Sequence, residues 1–244
     1  RETIRAINVD GTRNTFRAAA AAGAKRFVYA SSVAAYGWHS DNPVPLTEDW
    51  PRRPAAHLFY GQEKAEIEEL LHEEATRHPE IGRGLLRPPI VLGPHAVGAK
   101  EILPGPLNDI GMRVAGLLTA LPIPLPTVAP DLPVQFIHET DVGQAFLLCA
   151  VGAGDPGDYN ITGDGVLSGV EVAREVGLLP IPLPGGPVRA LAKALSSLPF
   201  TPPQAEWAEA ISHPSIMDAS KAKRDLGWQP KYSSMDALRD TLRS

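Results

Sequence analysis

Four short apolar runs, each separated from the next by a longer segment, constrain this chain more than any other feature. They read KRFVYASS (25–32), GRGLLRPPIVLGP (82–94), PVQFIH (133–138) and DYNIT (158–162). Runs of this length, rich in β-branched and aromatic residues and closed by Ser, Gly or Pro, read as strands. The second run reads as a strand followed by loop, because Pro88 and Pro89 forbid its continuation as helix. Helical patterns lie between the runs. Residues 8–22, NVDGTRNTFRAAAAA, are stopped by Gly23, and a second helix runs from near Leu58 to about Arg77 with Ile67, Leu70 and Leu71 on one side. ETDVGQAFLLCAV (139–151) is a third. Strands alternating with helices predict an α/β, doubly wound, Rossmann-like parallel sheet. Such sheets take their ligands at the carboxyl ends of the strands. Ser31 and Ser32 fall at one such end and Pro88–Pro89 at the next, with the start of the Leu58 helix between them in sequence.

Composition narrows the function class. The 244 residues are 43% hydrophobic and 21% charged, as expected of a globular α/β protein. A net charge of −5 without a basic cluster argues against nucleic acid as a partner. The single cysteine, Cys149, lies in an apolar run and reads as a buried small hydrophobe, so no disulfide or Cys-based zinc site is expected within the chain. No apolar run reaches the roughly 18 residues of a membrane span, and no signal peptide is recognisable. A cytoplasmic protein with no metal and no membrane partner is the expectation.

HLFYGQEKAEIEE (57–69) carries the chemistry. Tyr60 and Lys64 are spaced i, i+4 and share a helix face. A phenol titrates near ~10, too high for a base at neutral pH, and a neighbouring ammonium favours its ionised form. The spacing alone is common by chance. A glycine motif of the dinucleotide-binding form, GAGDPG at Gly152, Gly154 and Gly157, is set aside, because a helix precedes it and a strand follows, the reverse of the required order. His57 is a candidate substrate contact. His138, in a strand pattern, reads as structural, Asn8 as a helix cap or a cofactor contact, and Glu63 as a carboxylate pointing off the Tyr60–Lys64 face.

The ordered landmarks NVDGT (8–12), SSVAAYG (31–37), YGQEK (60–64), LLRPPIVLGP (85–94), FIHETDVGQA (136–145) and DLGWQP (225–230) resemble the extended short-chain dehydrogenases/reductases, the NAD-dependent epimerase/dehydratase family. The resemblance implies that Tyr60 exchanges a proton with a substrate hydroxyl while hydride moves to or from NAD or NADP. It implies that Lys64 lowers the Tyr60 pKa and holds the ribose, and that Ser32 binds the reacting oxygen. Asn8, Ser31, Ser32, Tyr60, Lys64 and Pro89 would contact the cofactor. It also implies a homodimer built on helices 8–22 and 58–77. The family's glycine loop and ribose-reading acid precede the NVDGT helix and have no counterpart here, so the sheet is expected to lack its N-terminal strands and the chain to be a fragment. Residues 1–94 and 133–165 would form the partial dinucleotide-binding domain, and 95–132 and 166–244 a small substrate lobe.

The family's phosphate-binding arginines are replaced. Val134 stands at one position, AEAISHPSIMD (208–218) contains no arginine, and Lys100 and Arg113 are the only Lys or Arg between Gly93 and Val134. The substrate is therefore a sugar nucleotide or a more apolar hydroxy or keto compound, the Pro122, Pro124 and Pro126 loop bordering its cleft. An alternative reading is a non-catalytic dinucleotide- or ligand-binding protein on the same fold.

Overall fold

The computed structural model describes residues 2–56, 58–96, 126–183 and 213–243. The chain starts in a continuous right-handed helical run: α1 (Glu2–Arg5), a π-helical turn (Ala6–Asp10) and α2 (Gly11–Ala21). Gly23, at φ 76°, closes it with Ala24 N–H donating to the Ala19 carbonyl, a conformation that side-chain-bearing residues rarely adopt. Strand β1 (Arg26–Ala30), a 3-10 turn (Val33–Ala35), α3 (Phe59–Arg77) and β2 (Gly82–Arg87) follow. After β3 (Ile90–Leu92) come β4 (Pro126–Pro130), β5 (Pro133–Val134), β6 (Phe136–His138), α4 (Glu139–Val151) and β7 (Gly157–Asn160). The last elements are β8 (Leu167–Ser168), α5 (Gly169–Glu175), β9 (Leu179–Leu183), α6 (Ser220–Asp225) and α7 (Ser234–Arg243).

β1, β2 and β7 form a parallel sheet in that order, with Tyr29 opposite Leu85 and Leu86 opposite Tyr159. Side chains alternate across a strand, so neighbours on β2 serve opposite faces. Leu85 packs with Val9, Phe16, Ile67 and Leu71 of the first helical run and α3. Leu86 packs with Ala145 and Cys149 of α4 and with Trp228. Helices thus cover both faces, and the sheet is doubly wound. Cys149 is buried as expected, and its apolar surroundings push the thiol up to about 11. Smaller pairs, parallel β3–β6 and β4–β9 and antiparallel β5–β8, extend the structure beyond this sheet.

Three expectations are corrected. The stretch after Pro88–Pro89, expected as loop, holds β3, which pairs with β6. The first helix begins at Glu2, six residues early, and Asn8 sits inside its π-helical turn, with no cap position available to it. PVQFIH divides into β5 and β6, because Gln135 between them turns to Met217: its amide donates to the Met217 carbonyl at 3.1 Å and accepts from Met217 N–H at 2.8 Å. The expected helix at 110–119 and the Lys100, Arg113, Pro122 and Pro124 positions lie outside the described residues.

The carboxyl end of β2 is tied down by a buried ionic network. Arg87, 1% exposed, donates to both oxygens of Glu68, 0% exposed, at 2.9 and 2.6 Å. It also reaches Asp158 at 2.8 Å and the Tyr36 hydroxyl at 2.6 Å. Ser31 donates to the same Glu68 carboxylate. Burial alone would favour neutral groups, but Glu68 holds Arg87 above its ordinary range, and His72, Arg87 and Arg83 hold Asp158 below its own.

Candidate functional site

Tyr60 opens the first turn of α3 and Lys64 follows one turn later, so both project toward the end of β1. Gly61 between them lets α3 lie against the Val33–Ala35 turn: a Cβ there would stand 2.8 Å from the Ala34 carbonyl oxygen. Ser32, at the N-terminus of that turn, accepts from Ala34 N–H and stands beside Tyr60, whose ionised form it favours. Gly61→Ala must push α3 off this turn. The expected result is a loss of about 1–3 kcal/mol in denaturant unfolding, and a variant as stable as the parent would contradict the close packing.

Lys64 has three N–H donors. One reaches the Ala30 carbonyl at 2.7 Å and one the Tyr29 hydroxyl at 3.2 Å. The ammonium also lies 5.5 Å from the centre of the Tyr60 ring, within cation–π range. Its third donor has no hydrogen-bond acceptor assigned among the described residues. Burial pushes the Lys64 pKa down, against the carboxylates of Glu63 and Glu68. Although Tyr60 exposes 39% of its surface, burial of the phenol pushes its pKa up. Ser32 opposes that rise and Glu63 adds to it. The net effect of these surroundings keeps the proton on the phenol.

A cavity of about 500 Å³ opens beside these groups, lined by Asn8, Thr12, Tyr29, Tyr60, Glu63 and Lys64 among others. Its size falls in the range of small-molecule and cofactor sites. Asn8, Tyr60 and Lys64 thus share one cavity, with Ser32 beside Tyr60. Ser31 and Pro89 do not line it. Ser31 is buried against Glu68, and Pro89 lies past the end of β2.

Glu63 overturns its expected placement. It is 6% exposed, lines the cavity, and accepts from the Asn8 side-chain amide at 2.9 Å. His138 accepts from Thr140 N–H at the start of α4, contacts Asp240 at 3.0 Å and stacks on Tyr232 at 3.9 Å, which gives it a structural place. His57 lies outside the described residues. Among the described residues, no group of three or more His, Cys, Asp and Glu could hold a metal ion. None of the described helices is long and apolar enough to cross a membrane.

The parallel sheet is covered on both faces, and the tyrosine–lysine helix stands at the carboxyl end of β1. The sequence profile of the NAD dependent epimerase/dehydratase family matches residues 1–162, and the chain belongs to that family. It is 28% identical over 243 residues to an uncharacterized protein of Mycobacterium tuberculosis, Rv0501, covering 98% of this chain and 60% of that one. It is 27% identical over 248 residues to a UDP-glucose 4-epimerase of Streptomyces lividans, covering 96% of this chain and 66% of the relative. Its fold is similar to that of the Bordetella bronchiseptica enzyme WbmG in complex with NAD and UDP, with a TM-score of 0.67 and 22% identity, over 98% of this chain and 64% of WbmG. The chain thus spans about three fifths to two thirds of the length of these proteins.

Proposed function

We propose that this chain carries the proton-moving part of an NAD(P)-dependent epimerase, dehydratase or reductase acting at a substrate hydroxyl or ketone. The observation that carries the reading is that Asn8, Tyr60 and Lys64 line one cavity, with the Lys64 ammonium 5.5 Å from the centre of the Tyr60 ring. When bound there, a nicotinamide dinucleotide supplies the hydride donor or acceptor. The residues fit such a group: Lys64 keeps a donor for a ribose hydroxyl, and Asn8 and Tyr60 wall the cavity. Tyr60 gives its proton to the oxygen of a ketone as that oxygen becomes an alcohol, and takes it back in the reverse direction. Ser32 holds the reacting oxygen and Lys64 favours the phenolate formed when the proton leaves.

The substrate is assigned to the smaller lobe of residues 95–132 and 166–244. Val134, at a position where the family places an arginine, packs with Leu92, Phe136 and Leu238 and offers no charge to a phosphate. This supports a substrate held by apolar contacts, with a sugar nucleotide as the other choice. The test is nicotinamide absorbance during incubation of the protein, as its source makes it, with NAD(P)H and keto compounds or with NAD(P) and sugar nucleotides or apolar alcohols. Absence of any substrate-dependent change across both panels would count against the reading.

A further inference from the structure

Glu63 is a buried carboxylate that the proton transfer described above does not use. One oxygen accepts from Asn8, which stands in the π-helical turn of the facing helix, a type of irregularity frequent at functional sites. The other oxygen is buried and has no hydrogen-bond partner among the described residues. Buried acceptors are nearly always satisfied, and an exception calls for an explanation. The cavity that Glu63 lines also contains Tyr60 and Lys64. We propose that Glu63 is a positioning residue of this site, holding the Asn8 amide across the two helices and placing a buried negative charge beside the two groups that move the proton. The proposal rests on the redox reading of the site.

The ionisable groups acting on Tyr60 and Lys64 can be named element by element. α3 contributes Glu63 and Glu68, and β1 contributes Tyr29. The first helical run faces Glu63 with the neutral Asn8, and the end of β1 offers the neutral Ser32. Burial, with the Glu63 carboxylate adding to it, keeps the proton on Tyr60, while Glu63 opposes the loss of charge that burial imposes on Lys64, so positive charge entering the cavity would favour the phenolate. An oxidised nicotinamide ring carries such a charge and a reduced one does not. Glu63 therefore biases the site toward the oxidised dinucleotide.

The first test needs no cofactor. Tyrosinate absorbance is titrated for the parent, Glu63→Gln and Glu63→Asp, each with and without Tyr60→Phe, so that the Tyr60 contribution is isolated by difference. A carboxyl group is ionised throughout the alkaline range in which phenols titrate. Glu63→Gln should move the Tyr60 midpoint to lower pH, and Glu63→Asp, which keeps the charge, should stay near the parent. A folded Glu63→Gln protein with an unmoved midpoint overturns the proposal, as does an Asp variant shifted as far as Gln. Glu63→Ser provides a second neutral variant. Loss of fold in both neutral variants, by circular dichroism, makes Glu63 purely structural and also overturns it. The second arm compares NAD and NADH binding to the protein as its source makes it. Glu63→Gln should lower the preference for NAD about tenfold, the effect of roughly one charge interaction of 1.4 kcal/mol. A parent that titrates as expected but binds neither dinucleotide refutes the redox reading while leaving the charge assignment standing.

Discussion

Tyr60→Phe should lower turnover by about 10²–10⁴-fold, the usual contribution of a positioned acid–base group, while leaving the fold unchanged. The substitution removes one oxygen from a side chain that is 39% exposed, so the packing of α3 against the Val33–Ala35 turn keeps its Gly61 contact. What it does remove is the phenol hydroxyl proposed to move the proton. Dinucleotide binding should persist, because Lys64 retains its anchors on Ala30 and Tyr29. Measured turnover with unchanged circular dichroism and unchanged dinucleotide affinity would assign the loss to the proton step. Turnover equal to the parent would remove Tyr60 from the chemistry.

The second large effect concerns stability. Glu68→Ala leaves the Arg87 guanidinium buried with half of its partners gone, since both Glu68 oxygens accept from it. It also orphans the Ser31 hydroxyl at the end of β1. Removing one member of a buried pair costs about 3–5 kcal/mol, most of it the cost of the charge left behind. The urea unfolding midpoint should fall accordingly. Glu66→Ala, which breaks only the exposed pair with Arg5, should leave the midpoint nearly where it was. A Glu68→Ala protein as stable as the Glu66→Ala protein would show that Arg87 finds compensation in Asp158 and Tyr36. The network matters to the site because Ser31 precedes Ser32, and the Ser31 N–H donates to the Leu86 carbonyl at 2.8 Å.

The elements that matter most were legible because their signals are local. Gly23 ends the first helical run through its left-handed backbone, and α3 spans Phe59–Arg77, one residue from the expected start. The GAGDPG stretch is a helix end and turn, with Gly152 at φ 77° after α4 and β7 following. What escaped depends on contacts across the fold. Nothing in NVDGT announces a π-helical turn, because its backbone is held by the packing of Val9 and Phe16 on α3 and β2. Gln135 divides PVQFIH through Met217, a partner 82 residues away. The burial of Glu63 follows from Asn8 facing it at a separation of 55 residues, and periodicity along α3 alone does not report that. Tyr29 was read only as a strand residue, yet its hydroxyl is one of the two side-chain or backbone oxygens that fix Lys64.

The central claim is that Lys64 and its neighbours receive a nicotinamide dinucleotide. The measurement that meets it most directly is NADH fluorescence on titration with the protein as its source makes it, for the parent and for Lys64→Met. The account predicts saturable binding by the parent and a loss of about tenfold or more in Lys64→Met, as expected when a charged hydrogen bond worth roughly 1.5–3 kcal/mol is removed. Equal affinity of the two proteins, or no binding by the parent, would contradict it.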